Sequence, residues 1–124
     1  KNRFGFSNGG MLPVYAVNLK EWGQETKIVI YGAGIVGSSY YKQITSFGQA
    51  IVVLWVDNNP LVVEKNALVQ PVNAILYSEY DYILISVKDK NVAENISIDL
   101  QAMKFDKEKI VWKEPQFILD VYND

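Results

Sequence analysis

The apolar positions of this chain fall into short unbroken runs separated by turn residues. Residues 27–31 and 51–57 are strand-length and rich in β-branched side chains, which predicts strands covered on both faces. Residues 81–86 repeat that pattern, residues 110–112 make a fifth, shorter run, and residues 67–70 a plausible third strand. A helix is expected over residues 35–47, and Gly48 is placed to close it. From Asp89 or Asn91 onward, Val92, Ile96, Leu100 and Met103 recur every three or four positions and predict one buried face of a second helix. Residues 61–66 read as a short helix or irregular crossing, residues 71–77 as a short helix with Pro71 near its first turn, and residues 114–120 as one or two helical turns.

Strands alternating with helices predict an α/β fold: a three-layer, Rossmann-like parallel sheet with right-handed crossovers over residues 27–124, about five strands in the order 3-2-1-4-5. Residues 1–26 are expected to be an N-terminal arm or linker. Their first part is polar and glycine-rich, and residues 12–19 are apolar enough for an edge strand or bound extension, although Pro13 argues against a central strand. In such a sheet the ligand lies beyond the carboxyl ends of the strands, where the strand order reverses. Residues 32–37, Asp57 and residues 86–88 all fall on that edge.

Composition narrows the chemistry. With 124 residues there is room for one core but not for a two-lobed dehydrogenase. A net charge of -2, with its lysines and arginines scattered, argues against a nucleic-acid partner. No apolar run approaches the roughly 18 residues of a membrane span, so none is expected. The chain has neither cysteine nor histidine, which removes disulfides, thiolate catalysis, imidazole bases and Cys or His metal sites, and fits a cytoplasmic location. Because it starts at Lys1, the chain is expected to be part of something longer.

The chemistry-bearing stretch follows the first strand: Gly32, Ala33, Gly34, Ile35, Val36 and Gly37, with Asp57 ending the next strand 20 residues later. This is the order a nucleotide-binding βαβ unit requires. Gly32 permits the tight turn, Gly34 lets backbone approach a phosphate, and Gly37 lets helix and sheet meet closely. The helix N–H groups then face an anion. Asp57 would accept from the two ribose hydroxyls of an adenosine and would oppose a 2′-phosphate, which favours NAD over NADP. Asn58 and Ser86 lie on the same edge as further candidates for the ligand, and Ser38 or Ser39 as extra donors. The bland alternative is that the glycines serve packing and Asp57 is a solvated strand end.

Spacing excludes some neighbours. No lysine follows Gly37, so the turn is not a P-loop, and no tyrosine stands four residues before a lysine, so the proton-transfer pair of short-chain reductases is missing. Methyl transfer from S-adenosylmethionine uses a similar turn and stays open. Lys88 and Asp89 form the one charged pair expected near the cleft, and a solvated loop is the plainer reading. Trp55 and Trp112 are expected in the core. Phe4, Phe6, Tyr15, Phe117 and Tyr122, near the two ends, suggest contact with another domain or a second subunit.

Residues 28–37, 53–58, 69–72 and 80–87 together resemble the Rossmann domains attached to bacterial surface-polysaccharide enzymes: sugar acetyltransferases, membrane nucleotide-sugar dehydratases, and some glycosyltransferases and methyltransferases. The likeness covers roughly residues 27–112. It implies a module binding NAD, a nucleotide sugar or a related nucleotide beside a catalytic domain, with Gly32, Gly34 and Gly37 on phosphate and Asp57 on ribose. The acetyltransferase pattern has a histidine in the turn where this chain has Ile35 and Val36. Two other readings stand beside the binding module: an oxidoreductase or methyltransferase completed by a missing domain, and a docking or oligomerisation domain with an empty cleft.

Overall fold

A computed structural model describes residues 14–118. The first strand, β1 (Tyr15–Ala16), stands apart from the main sheet, which is built from β2 (Lys27–Tyr31), β3 (Ile51–Asp57), β4 (Gln70–Pro71), β5 (Tyr82–Ile85) and β6 (Ile110–Trp112). These five are parallel and lie in the order β4-β3-β2-β5-β6. Counted within the sheet, the strands run third, second, first, fourth, fifth. Their labels differ from the expected 3-2-1-4-5 because β1 precedes them in the chain.

Helices cover both faces. α1 (Ile35–Phe47) ends at Gly48 in the left-handed conformation, φ 62°, and α2 (Pro60–Lys65) is capped by the Asn59 side chain. A 3-10 helix (Val72–Tyr77) then leads into β5, and α3 (Lys90–Ala102), capped by Asp89, leads towards β6. Alternation along β2 divides the core: Ile28 and Ile30 join α1 and Trp55 on one face, and Val29 and Tyr31 join Val56, Ile83 and Leu100 on the other. Burying each of the isoleucine, valine and leucine side chains among these contributes about 1.5–3 kcal/mol.

One irregularity sets the site. The β2–β3 register advances by a residue between Ile28 and Val29, so that Val29 faces Leu54 and Tyr31 faces Val56. An unbroken register would have set Trp55 opposite Tyr31. The extra residue, Val53, puts Val52 and Trp55 on the same face and brings Asp57 level with the glycine turn.

Several expected elements are placed differently. The third strand is Gln70–Pro71 rather than residues 67–70, with Leu68 exposed and Val69 buried. Within the tail expected to make helical turns, Gln116–Phe117 forms β7, antiparallel to β1, while residues 119 and 120 lie outside the described residues. At Gln116 and Phe117 the long-range pairing with β1 overrides the local helical preference. The buried face of α3 is centred on Ala93 and Leu100, while Val92 and Met103 are exposed.

The segment from Val14 to Leu19 is packed into the domain: Val17 and Leu19 are buried, and Gln43 of α1 bonds both the N–H and the carbonyl of Val17 at 2.9 Å. Tyr15 and Phe117 meet edge to face at 5.9 Å, covering each other in part, and Glu21 pairs with Lys113. Phe4, Phe6 and Tyr122 lie outside the described residues. No helix among those described is long and apolar enough to cross a membrane.

Candidate functional site

The turn between β2 and α1 is fixed by contacts that leave little freedom. Gly32 has φ +112°, a region L side chains rarely adopt, and a Cβ there would sit 3.0 Å from the Ser86 carbonyl oxygen. Its N–H donates to the Val56 carbonyl at 2.8 Å, and its own carbonyl accepts from Trp55 Nε1 at 2.8 Å. A Cβ on Gly37 would fall 1.8 Å from that same Gly32 oxygen. Gly32 and Gly37 are therefore required by the protein itself.

Gly34 is different. It is exposed, a Cβ built on it meets nothing within 4 Å, and its φ of −80° is open to other residues. As N-cap of α1 it offers no side chain to the first-turn N–H groups, which have no acceptor inside the helix. Ala33 and Ile35 flank it, half-buried and exposed, while Val36 is buried against the core.

Asp57 does more than wait at a strand end. One carboxylate oxygen accepts the Ala33 N–H at 2.8 Å, and the other accepts the Asn59 N–H at 2.8 Å. Each oxygen keeps a further lone pair for a ligand hydroxyl. Asn58 is exposed beside it, and both line a cavity of about 420 Å³ with Pro60, Val63, Pro71 and Val72. Burial first, and then the Asp57 charge, push the phenol of the neighbouring Tyr31 upward.

Ser86 does not join this site. It is buried, and its hydroxyl donates to the Leu84 carbonyl at 3.1 Å, so its role is to back the Gly32 turn through its main chain. Lys88 and Asp89 do not pair with each other: Lys88 lies over the Tyr15 ring at 5.9 Å, and Asp89 caps α3 through Asn91. The sequence reading missed Trp55 as a turn residue. Its spacing marked it as core, and nothing local tells that its indole N–H reaches Gly32 across 23 positions.

Among the described residues the structure thus brings Gly34, the first turn of α1 and Asp57 together at one sheet edge. This arrangement offers backbone donors to an anion and a carboxylate to hydroxyls. Comparison with known proteins finds a 50-residue stretch that is 36% identical to part of Lysine-specific histone demethylase 1 homolog 2 of Arabidopsis thaliana; the match covers 40% of this chain and 7% of that protein. No solved structure matches. The domain family described as C2185-like, N-terminal, matches residues 24–111, and the chain belongs to that family.

Proposed function

We propose that this domain binds a nucleotide-containing ligand of the NAD type and acts as an accessory module to a catalytic domain, as its resemblance to polysaccharide-enzyme modules implies. The observation that carries the reading is Gly34. Neither packing nor backbone strain requires a glycine there, while a phosphate lying against the turn does. The phosphate would take the N–H groups of Ile35 and Val36, reinforced by the dipole of α1. Asp57 would take the ribose hydroxyls with the lone pairs that Ala33 and Asn59 leave free.

The test is a thermal-shift panel of NAD, NADP, S-adenosylmethionine, UDP-sugars and coenzyme A. A ligand at about 100 times its dissociation constant adds about 2.7 kcal/mol, which raises the midpoint by several degrees. NAD is expected to shift it most. A flat response to the whole panel would leave the docking or oligomerisation reading in its place.

A further inference from the structure

The two sides of the main sheet are finished differently. On one side β6 is three residues long and has Lys109 and Lys113 at its ends, a common way of keeping an edge from pairing. On the other, β3 is seven residues long, but β4 pairs with it only at Val56 and Asp57. Among the described residues, the outer edge of residues 51–55 therefore has no strand neighbour.

This open edge lacks the usual protection. Residues 49–56 contain no charged residue and no proline. The bulge at Val53 interrupts any long ladder of bonds, yet it leaves one more apolar side chain at the surface. The core takes Val52, Leu54, Trp55 and Val56 of this strand and leaves Ile51 and Val53, which are 44% and 36% exposed. Apolar side chains are also exposed on the elements packed against β3. Phe47, in the last turn of α1, is 54% exposed. Leu76 and Tyr77 end the 3-10 helix whose Ile75 shares a core with Leu54 and Val56, and they are 56% and 89% exposed.

We infer that the occupant of this edge is a second copy of the chain, the two β3 strands lying side by side across a two-fold axis near Val53. An uncharged edge complements itself, because its two-fold mate presents the same uncharged row and no like charges meet. A partner that docks through charge finds nothing on it to pair with. Counting about 100 Å² for a whole aliphatic side chain and about 200 Å² for an aromatic one, the five exposed side chains offer on the order of 400 Å² per copy. Two copies thus remove about 800 Å² of side-chain surface, and the backbone of the edge besides. That reaches the roughly 1,000 Å² of the smaller specific interfaces and falls short of the 2,000 Å² or more of obligate dimers, so the pair is reversible. Asp57 lies at the other end of the strand, which leaves the candidate ligand edge of both copies open.

Sedimentation velocity of the whole chain, from about 1 µM to about 1 mM, tests this. The mean mass should rise from one chain towards two, with a Kd on the order of 10–100 µM. Val53→Lys should weaken the association at least about tenfold while the circular dichroism melt stays close to wild type, and Ile51→Lys is the second variant should the first not fold. Val92→Lys, a similar change on α3, should leave it unaltered. A mass of one chain at every concentration overturns the inference. So does an association that both β3 substitutions leave intact, or one that Val92→Lys weakens equally.

Discussion

The backbone N–H of Ala33 donates to the carboxylate of Asp57 at 2.8 Å, joining the glycine turn to the end of the adjacent strand. The acid that sequence assigns to a ribose is thus also the strut of the loop that would hold the phosphate. Asp57→Ala should cost about 2 kcal/mol in urea unfolding, since two backbone donors lose a charged acceptor at a partly exposed site. It should also weaken NAD and narrow the gap between NAD and NADP. Asp57→Asn, which keeps one acceptor oxygen, should recover part of the stability but little of the discrimination. Unchanged NAD and NADP affinities in Asp57→Ala would remove the residue from the ligand site.

Two glycines of the turn should respond in opposite ways. Gly37→Ala sets a Cβ 1.8 Å from the Gly32 carbonyl oxygen, and backbone on both sides leaves no room to relax. Destabilisation above about 4 kcal/mol is expected, enough to lose the folded state in a domain of ordinary stability. Gly34→Ala meets nothing within 4 Å, so its midpoint should stay within about 1 kcal/mol of wild type while nucleotide affinity falls at least about tenfold. Circular dichroism melts read the first outcome and titration the second. Undiminished binding by Gly34→Ala would remove the observation on which the proposed function rests.

The sheet was legible because its signals are local. Ile28, Val29 and Ile30 are buried on both faces, and a continuous β-branched run has few other uses. The bounds of α1 and β3 followed in the same way, from Gly48 and from the turn residues after Asp57. The pairing of β1 with β7 was not legible, since it joins Tyr15 to Phe117 across the whole domain and leaves no period in either two-residue segment. Nor was the slip at Val53, which breaks the strict alternation that sequence reading assumes and decides which face Trp55 takes. At the site, the glycine spacing and Asp57 were readable as types. The bonds that Asp57, Trp55 and Ser86 make to backbone were not, because carbonyls and N–H groups are the same at every position.

Gln43 replaces a strand neighbour for the N-terminal segment. Its amide accepts from the Val17 N–H and donates to the Val17 carbonyl, both at 2.9 Å, inside a buried region. Gln43→Ala leaves both groups of Val17 without partners, and such orphaned polar groups cost about 1–3 kcal/mol each. The chain should lose about 2–4 kcal/mol, with faster amide exchange at Val17 and its neighbours. Exchange at Ile28 to Ile30 should speed up only as far as global stability falls. An unchanged Val17 amide would show that packing of Val17 and Leu19, and not the glutamine, holds the segment.

Among the described residues, Tyr40 carries a buried hydroxyl with no hydrogen-bond partner. It is fully enclosed among Val36, Ile44, Ile28 and the N-terminal segment, and burial pushes its phenol far above the ordinary tyrosine range. Two consequences follow. Tyr40→Phe removes an unsatisfied polar atom without changing the ring, so it should stabilise the domain at neutral pH by about 1 kcal/mol. The second concerns alkaline pH. The unfolded phenol ionises near pH 10, as a free tyrosine does, while the folded one stays protonated. The favourable contribution of this difference is complete below about pH 10 and is lost as pH rises towards the folded value, at up to about 1.4 kcal/mol per pH unit. Wild type should therefore weaken faster than Tyr40→Phe above pH 10, and the gap between them should widen by about 1.4 kcal/mol between pH 9 and 11. Tyr31 and Tyr80, whose phenols burial also raises, are common to both proteins and cancel in the difference. Urea unfolding of the pair at pH 7, 9 and 11 measures both effects, and parallel pH profiles would mean that Tyr40 reaches solvent or a partner in the folded state.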